Sequence, residues 1–492
     1  MARTPLAIAQ GFYVDESKAI AAQECINLYP HIPATKTITD AALIGRSGIE
    51  LISDAQAYYG NDTLTCRGGH VVQETPFVVM GNRLMMGSAA GLYEYISFRD
   101  LLGVDILGSG RVVMADNGDQ LVIVAPDYNN KFNAWFFQCF GGVVAQISDP
   151  DFDGPVSDVS YFDGYFVFNK ANSNKFFISD LRNGLVYDAL DFGSGESDPD
   201  NNVVIRPLDG LLYVFGNHTF EQWQNIGGAG FPFQRTSNGN QMKGCVAPHS
   251  MTYFNEALIW IGSSYNEKPA VWATTGADAM KLSTPAIDHL INSGGIDAVR
   301  QAYSMRWAER GHNFVAFTIP DVCTVVYDAM TQLWHTMESI NEYQERIPWR
   351  ASCVLSTFST FVVGDSLNGY IGQFDETVFT EYGTEIHRRF STPAIDNNGR
   401  PFSVNALELF CETGNVPITG QGSEPVIRMS ISKDNGNTFC PEISRSLGKI
   451  GEYSAISYWP LLGRYRRPFI ARFDISEPIK IVFVKAEAEI TS

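Results

Sequence analysis

Few side chains in this sequence stand at the spacings that catalysis or metal binding requires. The eight histidines are scattered and none lies four residues from another, so a helical zinc pair is not expected. The segment Asp149–Gly154 places aspartates at alternate positions, as a calcium loop does, but Ser160 occupies the place of the bidentate glutamate. The motifs of zinc proteases, P-loop proteins, α/β-hydrolases and dinucleotide-binding folds are missing. The sequence therefore predicts no catalytic residue, metal or cofactor, and the chain is not expected to be an enzyme.

An arginine cluster near the C-terminal end is the main concentration of positive charge, and it comprises Arg464, Arg466, Arg467 and Arg472. Guanidinium groups bind phosphates and carboxylates through paired hydrogen bonds, so the functional interpretation is contact with phosphate or with an acidic partner surface. The alternative is a solvated strand face without a function. Arg464, Arg466 and Arg467 are kept as candidate partner contacts.

A second pattern combines small, acidic and aromatic residues in one turn: Ser432, Asp434, Gly436, Thr438 and Phe439. It is similar to the Asp-box turn of sialidase-type propellers, where the turn is a structural hairpin remote from the chemistry. A sialidase would need several such turns, an arginine cluster for a carboxylate, and an acid and nucleophile pair. One isolated turn predicts a structural role.

Composition and charge exclude several classes of protein. Of 492 residues, 45% are apolar and 18% charged, which supports a large core over two or three domains. The net charge of −19 would repel phosphate, so a protein that coats nucleic acid is excluded. Eight well-separated cysteines without a C-x-x-C pair are typical of buried thiols in a reducing compartment. No apolar run is long enough for a signal peptide or a membrane span, so we expect a soluble cytosolic product.

The elements that position these residues repeat along the chain. Apolar, alternating runs flank short turns whose second residues are Gly118, Gly164, Gly210 and Glu256, at equal intervals of 46 residues. Fainter copies predict further turns at Gly81-Asn82 and near Gly311-His312 and Phe358-Ser359. Together they make seven units between about residues 70 and 375.

This period predicts an all-β fold, a β-propeller of about seven blades, because each small sheet has two apolar faces that only neighbouring blades can cover. A helix at 284–291, capped by Thr284, is predicted as an insertion between two blades. Beyond about residue 380 the repeat stops, and 404–410, 426–431 and 479–483 are predicted as strands of a β-sandwich. The predicted domains are an N-terminal segment packing on the propeller (1–65), the propeller (66–378) and the sandwich (379–492).

Several segments, in this order, resemble a phage family: Glu24–Pro30, Tyr187–Phe192, Phe215–Trp223, Gly230–Arg235, and Ser446–Tyr453 through Leu462–Arg466. The family is the packaged-DNA stabilisation protein, or tail hub (nozzle), of short-tailed phages of the Salmonella lambdoid type. The resemblance extends over nearly the whole chain, and the order of the segments is more specific than any one of them.

The resemblance implies a structural virion protein assembled in the host cytoplasm. It implies a homo-hexameric ring below the portal adaptor that closes the head, retains packaged DNA and forms the channel for genome ejection. A tail needle or plug and tail fibres or tailspikes are the implied partners, with no membrane. An acidic chain would let DNA pass without specific binding. The alternatives are a receptor-binding or a glycan-binding tail propeller.

Overall fold

A computed structural model describes most of the chain, and every structural statement below concerns the described residues. These are residues 3–35, 37–55, 64–88, 93–96, 106, 108–126, 132–139, 143–195, 198, 200–228, 230–276 and 278–491. The fold is all-β, with two short α-helices and one 3-10 helix within this part of the chain.

Seven short strands precede the repeat and later join different sheets: β1 (Arg3–Leu6), β2 (Tyr13–Val14), β3 (Ala22–Gln23), β4 (Cys25–Ile26), β5 (Leu28–His31), β6 (Ala42–Gly45) and β7 (Gly48–Asp54).

Seven small antiparallel sheets then follow in the described part of the chain, and we number them as blades 1 to 7. Blades 1 to 4 have four strands each. Blade 1 contains β8 (Cys66–Val72), β9 (Thr75–Met80), β10 (Arg83–Gly87) and β11 (Tyr93–Ile96), and blade 2 contains β12 (Val113–Asp116), β13 (Gln120–Pro126), β14 (Phe132–Gln138) and β15 (Val143–Gln146). Blade 3 contains β16 (Val156–Phe162), β17 (Tyr165–Lys170), β18 (Lys175–Asp180) and β19 (Asn183–Ser194), and blade 4 contains β20 (Asn202–Leu208), β21 (Leu211–Gly216), β22 (Phe220–Asn225) and β23 (Phe233–Gln241).

Blade 5 adds a short strand and a 3-10 helix (Pro248–Ser250), and blade 7 takes its fourth strand, β7, from the N-terminal region. Blade 5 contains β24 (Gly244–Cys245), β25 (Thr252–Phe254), β26 (Ala257–Ser263), β27 (Ala270–Thr275) and β28 (Asp278–Lys281). Blade 6 contains β29 (Tyr303–Glu309), β30 (His312–Ile319), β31 (Cys323–Asp328), β32 (Leu333–Ile340) and β33 (Arg346–Pro348). Blade 7 contains β34 (Ala351–Thr357), β35 (Thr360–Asp365) and β36 (Tyr370–Asp375) together with β7.

The hairpins between the first two strands of the blades form where the period predicts them. Gly164 and Gly210 have φ angles of 91° and 74°, which glycine adopts without steric cost. Glu256 takes the same kind of position with φ 61°. The equal spacing of these turns therefore marks one structurally equivalent hairpin per blade.

The turn predicted for the first unit forms at Gly81-Asn82, but it is not the hairpin that is equivalent to the others. Gly81-Asn82 joins β9 to β10, the second and third strands of blade 1. The equivalent hairpin is at Gln73-Glu74, where Val72 pairs with Thr75 and both turn residues have positive φ. Neither residue is a usual turn former, so the sequence carried no signal for this turn.

Apolar clusters fill the seams between adjacent blades. Phe136 and Phe166 belong to the cluster that joins blades 2 and 3. Val78 and Leu355 belong to the cluster that joins blade 1 to blade 7. Within the described residues each of the seven seams has such a cluster, so the blades close into a ring, as a propeller requires.

The predicted helix is confirmed as α1 (Pro285–Asn292), followed by α2 (Ile296–Arg300). The Oγ1 atom of Thr284 accepts a hydrogen bond from the Ile287 amide and caps α1. Ile287 and Ile291 are buried in the apolar cluster between blades 5 and 6, so the insertion is part of the core.

The C-terminal residues form a β-sandwich of two sheets. Between blade 7 and the sandwich lie β37 (Thr380–Glu381) and β38 (Thr384–Glu385). The sandwich strands are β39 (Arg388–Ser391), β40 (Phe402–Cys411), β41 (Val426–Ser432), β42 (Ile443–Ser446), β43 (Ser457–Tyr465), β44 (Ile470–Ile475) and β45 (Val482–Thr491). The first sheet has the order β43–β40–β45–β6–β5, and the second has the order β4–β39–β44–β41–β42. The strand predicted at 479–483 thus begins only at Val482.

The N-terminal segment is divided between the two domains. Strand β7 completes blade 7, with Ile49 opposite Phe374. Strands β5 and β6 extend the sandwich, where Leu43 pairs with Phe483. The sequence predicts a segment that packs on the propeller. The pairings with the sandwich join strands hundreds of residues apart, which local sequence patterns do not reveal. The proposed boundaries at 65 and 378 stay predictions.

The junction between propeller and sandwich is a continuous sheet with a polar network beside it. The two residues of β4 pair with β32 of blade 6 on one side and with β39 on the other. Nearby, Arg46 Nη2 lies 2.9 Å from Glu381 Oε1, and the Trp349 indole donates a hydrogen bond to the same oxygen. Sheet continuity and buried ion pairs therefore hold the two domains together.

Candidate interaction surface

The candidate arginines lie on an edge strand of the sandwich. Arg464 is in β43, opposite Ser403 of β40, while Arg466 and Arg467 follow in the next turn. All three are exposed, and in the described part of the chain none of them forms an ion pair. Strand β43 is the outermost strand of its sheet, so this positive surface faces outward.

Arg472, the fourth arginine of the sequence cluster, has a different environment. It lies on β44 in the other sheet, with its guanidinium 3.7 Å from the ring centre of Phe439. Burial and the neighbouring Arg389 lower its pKa, and its Nε atom is 3.6 Å from Asp474 Oδ2. Arg472 therefore packs inside the domain and is not part of the exposed surface.

An exposed leucine stands beside the arginines. The pairing of β40 with β43 shifts between Val404 and Ala406, and Leu461 lies in the resulting bulge. Its side chain is 91% exposed and its φ is 59°, an unfavourable backbone conformation for a leucine. Tyr458 on the same strand is 43% exposed. Sequence reasoning missed this feature, because the exposure of Leu461 depends on the bulge against β40 and leaves no local signal.

The turn at 432–439 has the geometry that the pattern predicts. The Gly436 amide donates to Ser432 Oγ at 2.8 Å, and the Thr438 amide donates to Asp434 Oδ1 at 2.8 Å. The Thr438 hydroxyl donates to the other carboxylate oxygen at 2.6 Å. Hydrogen bonds from Thr438 and Ser432 lower the pKa of Asp434 to about 2. The carboxylate is fully engaged within its own turn.

A second exposed bulge, of opposite charge, lies on the outer strand of blade 3. Strand β19 is an edge strand, and its pairing with β18 breaks between Tyr187 and Phe192. Leu190 in this bulge is 79% exposed, between Asp188 and Asp191. Burial and the charges of neighbouring aspartates, Asp188 first, raise the pKa of Asp191.

The axis of the propeller encloses a cavity of about 480 Å³ lined by inner strands of the blades. Its charged groups have internal partners: Arg206 lies 2.8 Å from the buried Asp158, and His70 lies 2.6 Å from Asp116. Arg111 stacks 3.9 Å from the ring centre of Tyr303. A glycan site would be expected to present carboxylates and arginines that are not already paired within the protein. The observed pairings therefore favour a structural role for the residues around the axis.

The described residues contain no group of three or more His, Cys, Asp or Glu side chains that could hold a metal ion. In the same part of the chain, no helix combines the length and apolar character needed to cross a membrane.

A ring of small blades joined to a two-sheet sandwich defines a two-domain, all-β class of protein, and the family comparison places the chain within that class. The description "Bacteriophage P22 Gp10, beta-propeller" matches residues 4–379, and "Bacteriophage P22 Gp10, beta-sandwich" matches residues 387–491. The chain belongs to this phage tail hub family. The resemblance inferred from the sequence segments is confirmed.

Among curated proteins, the tail hub protein gp10 of Salmonella phage P22 is 22% identical over 328 residues, 63% of this chain and 66% of the relative. The aligned part spans just under two thirds of that relative. Two solved structures, the computationally designed Ika8 protein and the N-terminal domain of Nup159, align with TM-scores of 0.37 at 9% and 10% identity. They cover 67% and 70% of this chain, and 99% and 98% of their own. TM-scores this low support no conclusion about the fold or the function of this chain.

The family makes the chain a structural component of a phage tail.

Proposed function

We propose that this protein is the hub at the base of the phage head, where it retains packaged DNA and forms the channel for ejection. The observation that carries the proposal is family membership over both domains, at residues 4–379 and 387–491. The closed propeller and the sheet that continues into the sandwich provide a rigid body suited to such a role. The protein acts as a structural component and not as a catalyst.

Six copies would assemble as a ring in the host cytoplasm and take their place in the virion. The ring would dock below the portal adaptor, with a tail needle or plug closing it and fibres or tailspikes attached outside. The net charge of −19 supports passage of DNA without specific binding, because like charges do not adhere.

Particles that lack this protein provide the test of the hub function. We expect heads that fill with DNA, lose it after packaging, and carry no distal tail. DNA content per particle and electron microscopy measure both properties. Retained DNA with failed adsorption would contradict the hub and favour the receptor-binding alternative. Adsorption lost only on hosts that carry a particular surface glycan would favour the glycan-binding one.

We further propose that Arg464, Arg466 and Arg467 contact an acidic surface of the neighbouring copy. The chain carries a suitable counterpart in the bulge of β19, where Asp188 and Asp191 flank an exposed leucine. Two different surfaces that complement each other give a head-to-tail contact, which closes into a ring when the rotation permits. Leu461 and Leu190 would supply the apolar centre of the contact and the charges its rim.

Charge reversal tests this contact. We expect Arg464→Glu/Arg466→Glu and Asp188→Arg/Asp191→Arg each to sediment as monomers under conditions where the wild type forms rings, because like charges would meet. An equimolar mixture of the two variants should regain rings, since every contact in an alternating ring pairs opposite charges. Analytical ultracentrifugation measures both outcomes.

The matched control reverses an exposed pair on α2, Arg300→Glu with Asp297→Arg, and should leave assembly unchanged. Wild-type chains that stay monomeric, or a mixture that fails to recover, would contradict the contact. Arginine variants that keep their rings but lose DNA binding in a filter assay would instead assign this surface to phosphate.

A further inference from the structure

Two cysteines meet at the seam where the propeller ring closes. Cys66 begins β8 of blade 1 and Cys353 lies on β34 of blade 7, and their Sγ atoms are 3.3 Å apart. Both residues are buried, at 5% and 7% exposure. Among the described residues, the other six cysteines make no hydrogen bond to a second sulfur. The pair is therefore the one position where thiols from the first and last blades touch.

The surrounding residues leave room for this pair. A Cβ atom on Gly364 of β35 would lie 2.4 Å from Cys66 Sγ and 2.9 Å from Cys353 Sγ. A Cβ atom and a non-bonded sulfur do not approach this closely, so any larger residue at position 364 would displace the sulfurs. The backbone of blade 7 thus accommodates two sulfur atoms side by side.

Charge and access also suit oxidation of the pair. A hydrogen bond with the Cys353 thiol and the nearby Arg111 guanidinium lower the pKa of Cys66. Arg111 donates to Ser352 Oγ at 2.9 Å, next to Cys353 in the chain. Cys353 lines the axial cavity, which gives a small oxidant a path to the sulfurs. The two properties that make a cysteine reactive, thiolate character and access, are thus divided between Cys66 and Cys353, because the hydrogen bond with Cys66 and burial raise the pKa of Cys353.

We propose that Cys66 and Cys353 form a disulfide when the folded chain meets a peroxide. One thiolate displaces hydroxide from hydrogen peroxide and becomes a sulfenic acid, and the hydroxide takes a proton to become water. The second sulfur then displaces the sulfenic hydroxyl, which leaves as a second water molecule, and the S–S bond forms. Each sulfur loses one electron and the peroxide gains two.

The bond would join residues 287 positions apart and lock the ring at its closing seam. Cross-links that close long loops restrict the unfolded chain most, which stabilises the folded chain. Because this bond bridges the two blades directly, the seam cannot separate while it is intact, so the oxidised chain should also unfold much more slowly. If the protein is the virion hub proposed above, thiols that stay reduced in the host cytoplasm would become a covalent closure after release into an oxidising medium.

Treatment of the purified full chain with hydrogen peroxide tests the proposal without any reference to phage particles. After free thiols are blocked and the protein is digested, mass spectrometry should find a Cys66–Cys353 cross-linked peptide. Unfolding in guanidinium should slow by about tenfold or more, and a reducing agent should restore the original rate.

Two variants complete the test. Cys353→Ala should give no cross-link and no slowing, whereas Cys245→Ala, which removes a buried thiol of blade 5, should behave as the wild type. Wild-type protein in which both cysteines remain free, or advance to sulfinic acid without a cross-link, would overturn the proposal. Because the readout is chemical, this result is independent of whether the hub function holds.

Discussion

At the scale of single residues, the closing seam depends on the missing side chain at Gly364. We expect Gly364→Ala to lower the free energy of unfolding by about 1–3 kcal/mol, because its methyl group would overlap Cys66 Sγ. Chemical denaturation under reducing conditions measures the loss. In a Cys66→Ala background the same substitution should cost less, which a double-mutant cycle would detect.

The matched control is Gly184→Ala, whose Cβ would come no closer than 3.2 Å to a ring carbon of Phe166. Equal losses at the two positions, with no coupling to Cys66, would show that steric overlap with the thiols is not the cause.

Individual residues also show where sequence reasoning reaches its limit. Arg464 and Arg472 are close in sequence, and the sequence places them in one cluster. In the fold they lie on different sheets, with Arg464 exposed and Arg472 packed on Phe439. The turn around Asp434 was predictable because all of its hydrogen bonds are local. The exposure of Leu461 was not, since it depends on a bulge against a strand about 55 residues earlier.

At the scale of elements, the ring and the sandwich both depend on strands from the N-terminal region. We expect removal of residues 1–54 to abolish cooperative unfolding and to cause aggregation, because it takes the outer strand from blade 7 and four strands, β1, β4, β5 and β6, from the two sheets of the sandwich. Removal of residues 1–6 alone is the control. It deletes only β1, which is mostly exposed, and should leave the thermal transition nearly unchanged.

Size-exclusion chromatography and calorimetry compare the two truncated chains. A soluble, cooperatively folding chain that begins at residue 55 would contradict a closing role for β7.

Elements defined by local patterns were predictable, and elements defined by distant pairing were not. The Asp-Gly turns before Tyr165 and Leu211 located two hairpins, and Thr284 located the start of α1. By contrast, Ile49 pairs with Phe374 across more than 300 residues. The sequence pattern of one short segment does not indicate which of the two domains the segment will join as a strand.

At the scale of the whole molecule, buried histidines make stability depend on pH. Burial lowers the pKa of His249 and of His335 to about 3, from an ordinary value of about 6.5. Their pKa values are therefore lower in the folded chain than in the unfolded chain, and unfolding takes up protons between these limits. Stability is fully present above pH 6.5 and should fall progressively as the pH drops towards 3. Urea midpoints measured across this range would show the slope.

His335 provides the variant for that measurement. Both of its ring nitrogens are buried without a hydrogen-bond partner. We expect His335→Leu to reduce the pH slope without loss of stability at neutral pH, because an unsatisfied polar ring is replaced by an apolar group. The same substitution at the exposed His289 of α1 is the control. An unchanged slope in His335→Leu would show that this histidine does not titrate on unfolding.

The pairing of the outermost strands has a consequence for synthesis on the ribosome. Strand β7 emerges early, yet its partner β36 is made some 300 residues later, and the inner strand β45 of the sandwich ends at Thr491. Strand β7 therefore has no partner strand until blade 7 has left the exit tunnel, and β6 gains its contact with β45 only about 100 residues later. A chain whose synthesis stops between these two points would carry a closed ring of blades next to an incomplete sandwich.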